Sequence, residues 1–535
     1  EKNLSSSALG DNMLKYVDME GRVIIDIMKV VQRDHKLDSY KLDNVVSTFI
    51  NGKITGHTGN IIHVDNTTGL NKNDFISINS NKYKIEDISD SSVQLNHDVI
   101  ENDESITKWG LAKDDVSPKE IFQCQKGTSV DRAKIAKYCV QDCALCNSII
   151  IKLEILANNI GMANVCYVPL SYIFLRGQGI KVFSLVAKHC NDDKFVIPCI
   201  RYDPNKPEQD GYEGAIVLDP TPGIYIDAPI SVMDYASLYP SSMISENISH
   251  DSIVLDSEYD NLEGYSYVDI TYDIYTGTGD DKVKTGEKVC RYAQFPDNEK
   301  GVLPRILMTL LSQRKKTRKK IEHKVIAVGD ESYTGTIIKQ TENEFELLSE
   351  TNEVIKINKA DAKISDKYDE FAKAVLDGLQ LAYKVTANSL YGSVGAKTSS
   401  IYMKELAAST TATGRNLILK AKEFMEINYD AKVIYGDTDS IFVDFKIKDK
   451  YGITDPKETL QKSIDISVEA SSKFKKTLKA PHDLEYEKTF YPFIILSKKK
   501  YVALEDNLSQ TQSTLQKTQV EKEELQAQMT RIEAR

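Results

Sequence analysis

Short apolar runs separated by turn residues recur along the chain and predict strands joined by tight turns. In the most informative case, the hexapeptide YGDTDS at 435–440 lies between the β-prone runs KVI and IFVDF. This pattern predicts a β-hairpin. Upstream, an apolar run ends at Asp234 and passes through a turn at 237–240 into a predicted helix. Aspartates are therefore expected at strand ends in two separate parts of the chain.

Other stretches have helical periodicity or a strand-like alternation. The segment 133–153, the basic run RKKTRKK at 314–320 and the segment 381–396 each predict a helix. Segments 51–108 and about 325–366 instead contain short alternating runs with Gly and Asn turns. That composition is typical of small all-β modules.

The chain has 535 residues, of which 41% are hydrophobic and 27% charged. These proportions indicate a folded protein, and the length predicts roughly three or four units. No apolar run approaches the roughly 20 residues of a membrane helix, and the N-terminal sequence lacks the apolar core of a signal peptide. We therefore expect an intracellular protein without a membrane partner.

The 8 cysteines are scattered, which favours reduced thiols, and the isolated pair Cys143 and Cys146 fits helix packing better than zinc binding.

The net charge of −11 hides two basic clusters, at 314–320 and 498–501. Between them, Asp437 and Asp439 are two residues apart, and in an extended chain such residues point to the same side. Paired carboxylates bind Mg²⁺ when phosphates and water fill its other positions. The alternative is an acidic surface turn, since Gly-Asp is also ordinary hairpin chemistry.

Further phosphate-binding groups accompany this hairpin. Asp234 is a candidate third ligand, and the free N–H groups of the helix after it suit a phosphate, although a solvent-facing helix cap is the alternative. Arg314 with Arg318, and Lys384 with Asn388, are four apart and share a helical face. Such faces can bind a polyphosphate, and ordinary amphipathic helices are the alternative.

Taken together, these segments resemble a known family. Family B DNA polymerases have palm and fingers motifs that four segments resemble in order: DYASLYPS at 234–241, KVTANSLYG at 384–392, YGDTDS at 435–440 and KKKY at 498–501. The surrounding sequence is most similar to the polymerase-delta type of eukaryotes and large DNA viruses. The resemblance extends from about Ser5 to Leu504 and is interrupted by the two β segments.

The resemblance implies template-directed DNA synthesis, with primer–template DNA and deoxynucleoside triphosphates as partners and two Mg²⁺ ions, or Mn²⁺, as cofactors. Asp234 and Asp439 would bridge the ions, with Asp437 nearby and Tyr235 lending its backbone carbonyl. Tyr239 would be a steric gate against ribose, and Tyr391 would probe the minor-groove side of the new pair. The implied nucleotide-binding residues are Ser237, Leu238, Tyr239, Arg314, Arg318, Lys384, Asn388 and Tyr391. The implied DNA-binding residues are Gly392, Lys498, Lys499, Lys500 and Tyr501.

Family members of this type also carry a proofreading exonuclease with three acidic motifs. Tyr138 and Asp142 match the third motif, whereas the resemblance places the DxE and NxxxFD motifs before residue 1. A two-metal nuclease that lacks most of its carboxylates does not hold its ions. We therefore expect no proofreading by this chain.

The final stretch, 505–535, is polar, free of aromatic residues and helix-prone. Its heptad pattern predicts an amphipathic helix or weak coiled coil. The residues on the two apolar heptad positions are Leu508, Leu515, Leu525, Met529 and Ile532. The family's thumb domain is expected in this place, so we expect a missing thumb and a weaker grip on duplex DNA.

These inferences combine into an α/β, multi-domain, right-hand polymerase with an antiparallel-sheet palm, two-helix fingers and a partial RNase-H-like exonuclease domain. The predicted segments are 1–200 for the exonuclease-like domain with its β insertion, 201–310 and 399–504 for the palm, 311–398 for the fingers with the second insertion, and 505–535 for the tail. A catalytically silent nucleic-acid-binding remnant is the alternative, and a metal-dependent nuclease is a weaker one. A sliding clamp or accessory subunits are further candidate partners, and the nucleus or a viral replication compartment is the expected location.

Overall fold

The computed structural model of the chain describes residues 2–6, 10–79, 81–99, 106–113, 116–197, 211–277, 283–329, 331–341, 343–349, 353–359 and 362–505. The helix predicted from the heptad pattern of the tail lies outside the described residues, which end at Glu505.

The helices and strands of the described residues are numbered in chain order. The helices are α1 (Ile27–Asp34), α2 (Leu42–Phe49), α3 (Pro118–Lys126), α4 (Ser129–Lys152), α5 (Ile155–Cys166), α6 (Leu170–Leu175), α7 (Gln178–Asp193), α8 (Leu238–Ser245), α9 (Val302–Ile321), α10 (Glu370–Gly395), α11 (Lys404–Tyr429), α12 (Ile447–Tyr451) and α13 (Pro456–Lys475). The strands are β1 (Lys2–Ser6), β2 (Gly10–Leu14), β3 (Asn51–Thr58), β4 (Ile61–Val64), β5 (Phe75–Ile78), β6 (Asn81–Ile88), β7 (Ser92–Leu95), β8 (Lys108–Ala112), β9 (Gly211–Tyr212), β10 (Val217–Leu218), β11 (Gly223–Tyr225), β12 (Ile230–Tyr235), β13 (Ile253–Val254), β14 (Ser266–Thr276), β15 (Val283–Gln294), β16 (Lys324–Val328), β17 (Glu331–Gln340), β18 (Glu344–Ser349), β19 (Val354–Asn358), β20 (Ala362–Asp366), β21 (Lys432–Asp437), β22 (Ser440–Asp444), β23 (Leu484–Ser497) and β24 (Lys500–Glu505).

The chain divides into two compact units, one of residues 1–185 and 313–383 and the other of residues 186–312 and 384–535. We call them unit 1 and unit 2. The boundaries fall inside α7, α9 and α10, not in the loops where domain boundaries are usually found. The sequence has no linker-like composition at these points, and the segment boundaries predicted from it differ by up to about 15 residues from those of the units.

The segment predicted as the first all-β module forms a closed antiparallel barrel in unit 1, in the strand order β3-β4-β7-β6-β5-β8. Alternate residues point into it, as in the exposed–buried alternation of β4. Ile62, Ile76 and Ile85 in the interior are each 0% exposed. Closure pairs every strand edge and makes a stable core possible in so short a segment. The barrel extends to Ala112, slightly beyond the predicted end.

The second predicted β module is a five-stranded antiparallel sheet in the order β19-β18-β17-β16-β20. Its first and last strands pair, with Lys324 opposite Asp366, so the module begins and ends at one place, between α9 and α10. The rest of unit 1 is mainly helical, and α3 and α4 each begin with a capping box. The RNase-H-like arrangement of this region stays a prediction.

Unit 2 contains one large antiparallel sheet, which we call the central sheet. Its strand order is β10-β21-β22-β12-β23-β11, with β24 paired to β23. One face packs through Met233 and Tyr235 in a core shared with α11 and α13, and the other packs through Val232 and Phe442. Because side chains alternate along β12, Asp234 lies on the Val232 face. A separate four-stranded sheet, in the order β13-β15-β14-β9, completes the described strands of this unit.

The fold is thus mixed α/β with antiparallel sheets, as predicted. The seven cysteines of the described residues form no disulfide, in agreement with the expected reduced thiols.

Candidate polymerase active site

The central sheet brings together the two aspartate segments that are about 200 residues apart in sequence. Ser440 lies opposite Asp234 on one side and opposite Asp437 on the other, because β22 is hydrogen-bonded to both β12 and β21. The backbone N–H of Tyr235 donates to the carbonyl of Asp439 at 2.8 Å. The end of β12 and the tip of the hairpin therefore form one continuous edge.

The hairpin is present as predicted, but the stated reason for its geometry was wrong. The stretch from Asp437 to Asp439 is not extended, since Thr438 has a positive φ of 60°. Asp439 N–H donates to the carbonyl of Asp437 at 2.7 Å, and Thr438 N–H donates to the carbonyl of Ile216 at 3.0 Å. A tight turn anchored from a neighbouring segment, and not strand alternation, decides where these carboxylates point.

The carboxylate of Asp437 has local partners. The hydroxyl of Tyr435 donates to one oxygen at 3.2 Å, and the hydroxyl of Thr438 donates to the other at 3.0 Å. The ammonium of Lys499 lies 3.6 Å from it. Both oxygens of the Asp437 carboxylate therefore have partners within the chain.

Asp234 and Asp439 have a different environment. Burial, followed by the charges of Asp439 and Glu487, raises the pKa of Asp234 to about 7. Burial, followed by the charge of Asp437, also raises the pKa of Asp439. Lys384 opposes both shifts. Two half-buried carboxylates that repel each other form a site where a divalent cation is favourable.

This pair fits Mg²⁺, because hard oxygen donors and few protein ligands are what Mg²⁺ takes when substrate phosphates complete its coordination. Within the described ranges, no group of three His, Cys, Asp or Glu side chains is close enough to hold a metal. The fit therefore rests on the pair Asp234 and Asp439.

We predict a pH-dependent stability effect at Asp234 in the metal-free protein. The folded-state pKa of Asp234, about 7, lies above the ordinary 3.8, because folding favours the protonated carboxyl group. The stability that this group contributes is therefore fully present below pH 3.8 and is lost as the pH rises through 7. Asp234→Asn cannot ionise, so its gain in Tm over the original chain should grow between about pH 5 and about pH 8. Calorimetry in EDTA measures this gain.

A gain that is equal at both pH values would contradict this prediction. Added Mg²⁺ supplies the control, because it should raise the Tm of the original chain more than that of Asp234→Asn if the carboxylate binds the ion.

Beside the carboxylates, Tyr239 and Tyr391 stack with ring centroids 4.5 Å apart and an interplanar angle of 24°. Burial, followed by the charge of Asp439, raises the pKa of Tyr239 to about 12. The structure therefore brings both predicted tyrosines close to each other and Tyr239 close to Asp439. Gly414 of α11 backs this pair, because a Cβ there would lie 3.0 Å from a ring carbon of Tyr239.

The turn before α8 was predicted to bind phosphate. Ser237 caps α8 with a left-handed φ of 57°, and its side chain makes no capping hydrogen bond. The side chain of Leu238 is 2% exposed and packs in the core. A contact of Leu238 with a nucleotide would therefore have to come from its backbone.

Besides Tyr391, three predicted contacts lie on the part of α10 that belongs to unit 2. Lys384 and Asn388 are exposed, and the charge of Lys384 acts on Asp234 and Asp439. A Cβ on Gly392 would meet no atom within 4 Å. This glycine is not required by crowding inside the chain, and it leaves open space in which another molecule can approach the backbone.

Arg314 and Arg318 belong to unit 1. Nε of Arg314 donates to the side-chain oxygen of Gln380 at 3.3 Å, which joins α9 to α10 inside that unit. Arg318 is exposed. Their association with the residues of unit 2 stays a prediction.

The basic group 498–501 lies at the turn between β23 and β24, next to the carboxylate hairpin. The backbone N–H of Lys499 donates to the Tyr435 hydroxyl at 3.0 Å, and Lys498 pairs with Asp219 at 2.7 Å. Lys500 is exposed. The ring of Tyr501 packs 5.5 Å from that of Phe493. The central sheet thus brings Lys499 of this group close to Asp437.

The two predicted exonuclease residues also come together, in unit 1, around a lysine that the sequence did not single out. Lys113 Nζ donates to the Tyr138 hydroxyl at 3.0 Å and lies 3.4 Å from Asp142. No local pattern marks Lys113, because it reaches α4 from beyond the end of the barrel. Its charge neutralises Asp142, where a nuclease would need a free carboxylate for a metal.

Glu485 and Glu487 were also missed. Both carboxylates add negative charge at Asp234, and Glu485 lies opposite it in the sheet. Both residues lie in the sequence LEYEKTF on β23, but the pairing of β12 with β23 shifts register at Glu487, so strand alternation alone does not predict this cluster.

Comparison with known proteins identifies the family of this chain. The sequence model of the family described as DNA polymerase family B matches residues 168–332 and 351–522. The chain belongs to this family. The match reaches residue 522, beyond Leu504, where we expected the resemblance to end.

Individual relatives place the chain among viral and delta-type members. It is 69% identical over 504 residues to the DNA polymerase of Pyramimonas orientalis virus, covering 94% of this chain and 42% of that protein. It is 35% identical to the DNA polymerase of Phaeocystis pouchetii virus, covering 90% and 48%, and 31% identical to the DNA polymerase delta catalytic subunit of Dictyostelium discoideum, covering 94% and 34%. The chain therefore spans less than half the length of these relatives.

None of the helices within the described ranges is both long and apolar enough to cross a membrane.

Proposed function

We propose that this chain carries the polymerase site of a template-directed DNA polymerase and transfers a nucleotidyl group from a deoxynucleoside triphosphate to a primer 3′-hydroxyl. The observation that carries the proposal is the pair Asp234 and Asp439, mutually destabilised, beside the stacked pair Tyr239 and Tyr391. A carboxylate pair at which a divalent cation is favourable, next to two stacked aromatic rings, suits the binding of a nucleoside triphosphate.

In this proposal the central sheet belongs to the palm, and residues 311–398, with most of α9 and all of α10, form the fingers around the β16–β20 insertion. Asp234 and Asp439 would hold two Mg²⁺ or Mn²⁺ ions, with Asp437 and the Tyr235 carbonyl nearby, and the ions would supply activation of the 3′-hydroxyl and charge neutralisation at the triphosphate.

The remaining roles belong to the side chains. Lys384 and Asn388, with Arg314 and Arg318 from unit 1, bind the triphosphate and orient its reacting phosphorus toward the primer. The backbone N–H groups at the start of α8, after Ser237, donate hydrogen bonds to phosphate oxygens. Tyr239 stands under the sugar, and Tyr391 with Gly392 contacts the nascent base pair on its minor-groove side.

Lys498, Lys499, Lys500 and Tyr501 hold the primer–template duplex near its growing end. They contact backbone and not bases, because the template selects the incoming nucleotide by pairing. A sliding clamp or accessory subunits remain candidate partners, and the nucleus or a viral replication compartment is the proposed place of action.

Primer extension tests the function. A labelled primer–template with Mg²⁺ should be lengthened only when all four deoxynucleoside triphosphates are supplied. A nuclease would shorten the primer instead. A catalytically silent remnant would shift it in a gel without changing its length. Either of these outcomes would overturn the proposal.

We also predict that the chain does not proofread. Asp142 is paired with Lys113, whose ammonium would compete with a metal ion for this carboxylate, so a mismatched primer end should survive in the absence of nucleotides. The measurement is the length of a labelled single strand over time with Mg²⁺. The control is Asp142→Ala, which should behave identically, and robust degradation that disappears in this variant would refute the prediction.

A further inference from the structure

The side chain of Arg415, on α11, is 13% exposed. Its hydrogen bonds and ion pair are made with the short segment 213–214. Nη1 donates to the carbonyls of Glu213 at 2.7 Å and Gly214 at 2.9 Å. Nε lies 3.3 Å from the Glu213 carboxylate. Thr411, one turn earlier, donates to the same Glu213 carbonyl at 2.8 Å. A guanidinium this buried requires such acceptors, so the segment is held firmly against α11.

The anchored segment leads directly to the carboxylate turn. Two residues after Gly214, the carbonyl of Ile216 accepts the N–H of Thr438, between the two aspartates, at 3.0 Å. The next residue, Val217, lies opposite Asp437 in the sheet. Displacement of the 213–214 main chain would therefore be transmitted to the turn that aims Asp439.

The same part of α11 supports the aromatic pair. Gly414, next to Arg415, leaves just enough room for the Tyr239 ring, since a Cβ would be 3.0 Å from it. The charge of Arg415 opposes the rise in the pKa of both Tyr239 and Tyr391, so it lies within electrostatic reach of both. One turn of α11 thus contacts the two halves of the candidate site.

We propose that Arg415 is a positioning residue that fixes the position of the carboxylate turn relative to the Tyr239–Tyr391 pair. The proposal rests on the proposed function for its consequences in catalysis. Arg415 touches no reacting atom in this assignment. Its effect is on the position of Asp439 relative to the sugar of the incoming nucleotide. A small displacement of Asp439 lowers kcat without preventing nucleotide binding.

Single-nucleotide kinetics test this. Arg415→Met keeps much of the side-chain volume but loses the donors, and we expect kcat to fall by about 10 to 100-fold with little change in KM or in duplex binding. The preference for deoxy- over ribonucleotides should fall by about tenfold. Arg415→Lys can still donate to the carbonyls and should restore part of kcat. Lys420→Met is the matched control. Lys420 is an exposed cation on the same helix as Arg415 and donates to the Thr477 carbonyl, and this variant should have the kinetics of the original chain.

Hydrogen–deuterium exchange supplies a readout that needs no activity. The Thr438 amide should exchange faster in Arg415→Met and not in Lys420→Met. If Arg415→Met lowers Tm but keeps the sugar preference and the exchange of Thr438, Arg415 has only a structural role and the proposal is overturned. If the original chain does not extend primers and Thr438 still exchanges faster in the variant, the proposed function fails while the positioning of the turn stands.

Discussion

Replacing Asp439 by asparagine is expected to reduce primer extension by roughly a thousandfold. The change is isosteric, so the turn should persist, while the site loses one of the two half-buried carboxylates that make a divalent cation favourable there. Asp234→Asn should have an effect of the same size. Steady-state extension with Mg²⁺, at equal duplex occupancy, is the measurement.

The chain contains suitable controls for this loss. Asp444 lies at the opposite end of β22 from the candidate site and, like Asp439, is half-buried with a raised pKa, caused first by burial. Asp444→Asn should retain extension. Asp437→Asn should have a smaller effect than Asp439→Asn, because Asp437 is already stabilised by Tyr435 and Thr438. Full activity in both Asp234→Asn and Asp439→Asn would show that these carboxylates do not bind the catalytic ions.

The second large effect is expected at Tyr239. Its removal in Tyr239→Ala should raise ribonucleotide incorporation relative to deoxynucleotide incorporation by about 100-fold. The ring stacks on Tyr391 and lies close to Gly414, and these contacts limit its movement away from an additional 2′-hydroxyl. The measurement is the ratio of kcat/KM for matched deoxy- and ribonucleoside triphosphates.

Tyr239→Phe separates the ring from its hydroxyl. It keeps the aromatic wall and should therefore keep the sugar preference, whereas a preference lost in Tyr239→Phe would assign the selection to a hydrogen bond of the hydroxyl. Equal selectivity in Tyr239→Ala and the original chain would contradict the steric role altogether.

Several parts of the fold follow from local pattern. The two β modules are present because alternating apolar residues of short strands, such as Ile62 and Ile76, have no stable arrangement except one that buries a single face. The helices α4, α9 and α10 coincide with the predicted helical stretches. The hairpin at YGDTDS forms where the β-prone runs predicted it.

Local pattern failed where a position depends on contacts distant in sequence. Lys113, Glu487 and Arg415 carry no distinguishing neighbours, and each acquires its importance from a strand or helix that packs on it in three dimensions. The rule that alternate residues of a strand point to the same side also failed at Asp437, because Thr438 has a left-handed turn conformation and not an extended one. A rule for regular strands does not hold at the point where a strand ends.

The sequence by itself determined the family and indicated the chemical type of the candidate site and the residues that could compose it, because carboxylates, paired cations and aromatic residues can be recognised from residue type and order. Only the tertiary structure decided that Asp234 and Asp439 share a buried environment while Asp437 has Tyr435, Thr438 and Lys499 as partners. The physical reason is that a charge's energy depends on its burial and on every other charge nearby, and both are set by strand pairing across about 200 residues of chain.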